Sequence, residues 1–88
     1  MGLYSIDFKP AVEKDFSHLP QSVIEKAMAK IEALSTNPFP VDAKKLKDAK
    51  RLYRVRLGDY RIVYEVSTEH FQILVHYVRH RKDVYRRL

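Results

Sequence analysis

The stretch Tyr53-Arg54-Val55-Arg56-Leu57-Gly58-Asp59-Tyr60-Arg61-Ile62-Val63-Tyr64 decides the fold. Two runs of alternating side chains flank a Gly-Asp pair, the pattern of a β-hairpin with a two-residue turn. That register sets Leu57 against Tyr60, Arg56 against Arg61, Val55 against Ile62 and Arg54 against Val63. Side chains alternate across a strand, so Arg54, Arg56 and Arg61 emerge on one face. Like charges directly opposite one another destabilise a hairpin. A sheet that carries such a cluster is built to meet a polyanion, and phosphate of a nucleic acid is the leading ligand.

The charge distribution along the 88 residues says the same. Residues 1–43 hold four Lys/Arg against six Asp/Glu, and residues 44–88 hold thirteen against five. The whole excess behind the net +6 therefore lies in the half that carries the hairpin, a sign asymmetry typical of a polyanion-binding surface. A merely solvated basic surface is the alternative. With an ordinary apolar fraction of 45%, the chain suits one small domain with a single core. The sequence contains no cysteine, which excludes disulfides, thiolate metal sites and a Cys nucleophile. No signal-like or membrane-length apolar run is seen, and a cytoplasmic location is expected.

Working outward, Leu3 to Phe8 reads as a strand, and Pro10 opens a short helix to about His18. Ser22, with Pro20 and Gln21 as possible first-turn residues, starts a longer helix to about Ser35. Its buried stripe is Ile24, Ala27, Met28, Ile31 and Leu34. Asn37-Pro38-Phe39-Pro40 ends the helical half. After the basic stretch Ala43–Arg51 come strands Leu52–Leu57, Tyr60–Val66 and Phe71–Arg79. Pairing Val66 with Phe71 puts Tyr53, Val55, Ile62, Tyr64, Ile73, Val75 and Tyr77 on the core face and His76 beside Arg61. The expected fold is α+β, in the order β-α-α-β-β-β. A helical hairpin covers one face of a small, mostly antiparallel sheet, and the arginine face stays open.

Candidate site residues follow from that arrangement. Arginine offers a planar fork of donors that matches phosphate oxygens and keeps its charge. Arg54, Arg56 and Arg61 could hold a phosphate and offset charge developing in a transition state. Surface pairing with Asp59, Glu65 or Glu69 is the blander alternative. His80, Arg81 and Tyr85 follow the last strand and are expected beside the same face, His80 for proton transfer and Tyr85 for stacking on a base. Lys44, Lys45, Lys47, Lys50, Arg51, His76, Arg79 and Lys82 are expected to contact nucleic acid. The other histidines are weaker candidates. No metal-ligand spacing and no Gly-rich phosphate loop occurs, so neither metal nor cofactor is expected.

The blocks Tyr53–Val66 and His80–Tyr85, with the helical hairpin before them, resemble the RelE/ParE superfamily of toxins, the RelE branch most closely. The resemblance covers nearly the whole chain. It implies an endoribonuclease that cuts messenger RNA in the ribosomal A site by attack of a 2′-OH on the adjacent phosphorus, restrained by an antitoxin. Arg54 and Arg56 stand where the family commonly has lysine, and Arg61, Arg81 and Tyr85 match family positions. Arginine does not take up the role of a general base, so the two substitutions leave proton transfer to another group. A ParE-like gyrase inhibitor and a non-catalytic RNA-binding module are the rival readings.

Overall fold

The structure is a computed structural model, and it describes residues 3–46 and 51–82. Strand β1 (Ser5–Phe8) leads into helix α1 (Pro10–Phe16) and helix α2 (Gln21–Leu34). Four strands follow: β2 (Lys44–Lys45), β3 (Leu52–Leu57), β4 (Tyr60–Ser67) and β5 (Gln72–His80). The sheet order is β1-β5-β4-β3-β2, with β1 parallel to β5 and every other pair antiparallel. The α+β class and the helical hairpin agree with the sequence reading. The short strand β2, inside the basic stretch, is an addition to it. Among the described residues no helix is long and apolar enough to cross a membrane.

Each helix begins where proline makes it easy. Pro10 occupies the first turn of α1, where its missing N–H costs nothing. Pro20 itself is the N-cap of α2, two residues earlier than the Ser22 cap suggested by the sequence. From the expected stripe, Ala27, Ile31 and Leu34 are fully buried, while Ile24 and Met28 are half-buried. With Val12 of α1, the helix residues Ala27, Met28, Ile31 and Leu34 pack on Val55, Ile62, Tyr64, Val66, Ile73, Val75 and Val78 of the sheet. Burying one such aliphatic side chain contributes about 1.5–3 kcal/mol, so this helix–sheet layer is the main source of stability.

The hairpin register is as expected, with Arg56 opposite Arg61 and Arg54 opposite Val63. The next turn is not. Val66 pairs with Ile73 rather than Phe71, and Phe71 sits exposed in the turn with φ 53°. A β-bulge then interrupts β5: Tyr64 faces Val75 but Val63 faces Tyr77, so His76 has no direct partner. One extra residue reverses the facing of everything beyond it. Val78 therefore fills the core in place of Tyr77, and Tyr77 and Arg79 turn to the arginine face. That face is also less open than expected, because Val63 is 1% and Arg61 5% exposed.

Asp15 holds α1 to this strand. Strand β1 ends at Phe8, opposite Val75, so the outer edge of β5 beyond that point has no neighbouring strand. There the Val78 N–H donates to Asp15 Oδ2 at 3.2 Å, and Arg79 Nε donates to Asp15 Oδ1 at 3.1 Å. A helix carboxylate thus takes the ladder position that a strand carbonyl would fill.

Tyr64 is the largest fully buried side chain, and its hydroxyl donates to the Pro38 carbonyl at 2.7 Å. Burial pushes this phenol well above its ordinary range, with smaller contributions from Asp42 and Tyr53. The folded state therefore holds the proton at pH values where the unfolded chain, titrating near about 10, has lost it. Stability is complete below that pH and falls as pH rises beyond it. We expect urea midpoints to drop above about pH 10. In Tyr64→Phe that alkaline limb should flatten, at a neutral-pH cost of about 1 kcal/mol from the lost hydrogen bond. Parallel alkaline limbs in the two proteins would contradict this.

Candidate nucleic-acid interface

Two rows of side chains cross the sheet on the face away from the helices. Arg56, Arg61 and Arg79 stand opposite one another on β3, β4 and β5. The next row runs Lys44, Arg54, Val63 and Tyr77 across β2 to β5. The three arginines of the first row are adjacent to the turn end of the β3–β4 hairpin. Arg81 joins that end through its backbone N–H, which donates to the Asp59 carbonyl at 2.8 Å. The backbones of these four arginine residues thus belong to one end of the sheet.

Arg61 is the most constrained of them. Gly58 adopts φ +60°, which permits the tight turn. Arg61 Nη1 donates to the carbonyls of Gly58 at 3.1 Å and Tyr60 at 3.0 Å. Its Nε is buried without a partner among the described residues. Anchoring Nη1 leaves the Nε–Nη2 edge, the pair of parallel donors that grips phosphate in bidentate fashion. An unpaired buried donor costs about 1–3 kcal/mol, so an anion at that edge would relieve the folded protein of an existing penalty.

The neighbours differ in freedom. Arg56 is exposed and Arg54 half-buried. Arg79 is tied to Asp15, and its guanidinium carbon lies 4.5 Å from the centre of the Tyr77 ring, a cation–π arrangement. Burial pushes the Tyr77 phenol up, Arg79 working against that shift and Asp15 with it. Farther along the face, His76 Nε2 lies 3.0 Å from Glu65 Oε1. That pair is four residues along β4 from Arg61, roughly 13 Å at a strand's rise per residue, too far to serve the same phosphate.

Several expected contacts fall elsewhere. His80 faces Tyr60, on the helix side of the sheet, with the two rings edge-on at 5.5 Å. Its Nδ1 accepts from the Lys82 N–H at 3.3 Å. The bulge is the physical reason: without its extra residue, His80 would share the face of Arg61. The expectation that His80 moves a proton beside Arg61 is corrected accordingly. Lys45 pairs with Tyr53, one position out of step with the Lys44–Arg54 row, whereas Lys44 lies in that row. Arg51, Lys44, Arg81 and Lys82 are exposed. Lys47, Lys50 and Tyr85 lie outside the described residues.

The sequence reading missed Asp15 and Tyr77. Asp15 lies among the inward positions of α1 between Val12 and Phe16, an uncommon place for a carboxylate without a partner. The sequence Val75-His76-Tyr77-Val78 spaces two core valines three apart, which strict alternation does not permit. That spacing was the available signal for the bulge. Among the described residues no group of three or more His, Asp or Glu could hold a metal ion.

A mixed five-stranded sheet with a helical hairpin on one side and an arginine row on the other defines a compact class of basic-faced α+β proteins. Comparison with known proteins narrows the class. Residues 6–85 match the family of ParE toxins of the type II toxin–antitoxin system parDE. Toxin RelE3 of Methanocaldococcus jannaschii is 34% identical over 82 residues, covering 89% of this chain and 91% of its own. The archaeal RelE–RelB complex from Pyrococcus horikoshii OT3 superposes with a TM-score of 0.79 at 28% identity, covering 90% of this chain and 96% of the other. The intact E. coli RelBE toxin–antitoxin complex gives 0.75 at 28% identity, covering 88% and 95%. The chain belongs to the RelE/ParE toxin superfamily, and within it is a RelE-family toxin of a type II toxin–antitoxin system.

Proposed function

We propose that this toxin is an endoribonuclease that cleaves messenger RNA in the ribosomal A site. The observation that carries the reading is Arg61, buried, anchored by Nη1, and left with an unpaired Nε among the described residues, opposite Arg56 and with the Arg81 backbone bonded to the same hairpin turn. In the reaction, the ribose 2′-oxygen bonds to the adjacent phosphorus and the bond from phosphorus to the 5′-oxygen breaks. The products are a 2′,3′-cyclic phosphate and a free 5′-OH. Arg61 and Arg81 offset the charge that builds on the phosphoryl oxygens. Arg54 and Arg56 orient the chain, and Tyr85 stacks on a base.

No arginine of this group accepts a proton at working pH. The rate then depends on the ribosome bending the substrate so that the 2′-oxygen lies in line. Free protein is expected to cut naked RNA feebly. The partners are the ribosome with its message and an acidic antitoxin segment that covers the arginines. The matched complexes of relatives with RelB support the second of these.

Mapping of 5′ ends after expression tests the reading. Cuts within codons of translated messages, absent from untranslated RNA, are the expected result. The ParE description of the matching family favours a second reading, inhibition of DNA gyrase. Intact messages together with blocked supercoiling by pure gyrase would establish that reading instead.

A further inference from the structure

A cleft of about 630 Å³ lies on the helix side of the sheet, between the end of α1 and the ends of β4 and β5. Its apolar lining includes Leu19 and Val78, its aromatic wall is the Tyr60–His80 pair, and Lys14 and His18 stand on the helix side. Of the described residues lining it, Arg79 alone also takes part in the arginine row. From the geometry we infer that this cleft is a second nucleotide-binding site, one that takes the base and phosphate of a single ribonucleotide.

The polar groups of the cleft are almost all donors. Among the described residues its only carboxylate is Asp15, and both Asp15 oxygens are engaged, Oδ1 by Arg79 and Oδ2 by the Val78 N–H. His80 Nδ1 accepts from the Lys82 N–H, so the proton of the neutral imidazole sits on Nε2 and makes the ring a donor. The Lys14 ammonium adds a fixed charge, and the exposed His18 adds a third nitrogen group. A phosphate satisfies such a set of donors, whereas a cation or an amine does not.

The remainder of the lining suits a flat ring. Tyr60 and His80 meet edge-to-face with an interplanar angle of 82°, so the two rings present walls in different directions beside the apolar floor. A base laid against one ring stacks on it and meets the edge of the other, an arrangement that tolerates any base. The volume falls within the range of roughly 300–1,000 Å³ of small-molecule sites. Position adds a further argument. Tyr60 precedes Arg61 in β4, and His80 lies between Arg79 and Arg81, so the cleft and the arginine row share one end of the sheet from opposite faces. A strand of RNA that rounds this end can meet both.

The test is a titration of the full-length protein with adenosine 5′-monophosphate, followed through backbone amide resonances, with adenosine and inorganic phosphate as comparison ligands. Binding does not require cleavage, so the outcome is independent of whether the protein is a nuclease. Amides of Lys14, His18, Tyr60 and His80 should shift together, and the monophosphate should bind at least about tenfold more tightly than either part alone. Lys14→Ala and His80→Ala should each weaken binding by about tenfold. Shifts confined to the arginine face overturn the inference, as does equal affinity for phosphate and nucleotide. Unchanged affinity in a folded Lys14→Ala/His80→Ala double variant overturns it as well.

Discussion

Arg61→Met is expected to abolish messenger cleavage while leaving the protein about as stable as before. The two halves of this outcome come from one geometry. Arg61 directs Nη1 at two carbonyls of its own hairpin turn, and its buried Nε has no partner among the described residues. In the proposed reaction the free edge of the guanidinium meets a phosphoryl group whose charge rises as the new bond forms. Removing one donor of this kind costs about 10²–10³ in rate. Stability responds in the opposite sense. The substitution removes hydrogen bonds to Gly58 and Tyr60, each worth about 1 kcal/mol, but also removes a buried donor whose desolvation costs about 1–3 kcal/mol. Methionine follows the path of the arginine stem and preserves its packing.

Primer extension on messages from cells expressing the variant should show no new ends. The thermal midpoint should change by no more than a few degrees, and the antitoxin should still copurify. Arg61→Lys should behave almost as poorly in cleavage, because an ammonium keeps the charge but not the parallel donors. Full cleavage by Arg61→Lys would show that charge alone suffices and that the bidentate edge is irrelevant. A Met variant that unfolds would show that the turn depends on the guanidinium, and the trade between stability and function would fall with it.

The hairpin was legible because its signals agree at every level: alternation, a Gly-Asp turn, and a register that buries Val55 and Ile62 together. A shift of one residue would have exposed both, so the pattern admits a single pairing. The helices were legible for a similar reason, since Ala27, Ile31 and Leu34 satisfy only a helical period. The strand after the second turn was not. Phe71 is large, apolar and follows a polar turn, which argues for a strand start, yet it occupies the turn in a left-handed conformation. The bulge at His76 leaves no turn residue to announce it, and it shows only as the three-residue spacing between Val75 and Val78. Its effect on the site is large. It carries Arg79 into the row with Arg56 and Arg61, and it carries His80 to the other face. Short-range alternation thus placed the residues before the bulge, and only tertiary packing could place those beyond it.

The second large effect belongs to Asp15, which is remote from the arginine fork but holds the strand that completes the row. Asp15→Ala is expected to destabilise the fold by about 3–5 kcal/mol, the range for removing one partner of a buried pair. The carboxylate and the Arg79 side chain are only 14% and 19% exposed, so water reaches neither freely. Alanine there leaves the Arg79 guanidinium without its anion and the Val78 N–H without an acceptor at an uncovered strand edge. Arg79 keeps its contact with the Tyr77 ring, which offsets a small part of the loss.

A double-mutant cycle separates these contributions. Arg79→Met removes the charge that Asp15 neutralises, so in that background Asp15→Ala should cost less, about 1–2 kcal/mol for the Val78 N–H alone. Asp15→Asn retains an oxygen for the Val78 N–H and should fall between the alanine variant and the parent. Urea unfolding at neutral pH measures all five proteins. Additive losses would mean that the two side chains do not depend on each other, and Asp15 would then act on the strand edge alone. Coupling of 1 kcal/mol or more, by contrast, would establish that α1 sets the position of the last arginine in the row. In that case cleavage by the surviving folded Asp15→Asn protein should also decline, through a site whose other arginines are untouched.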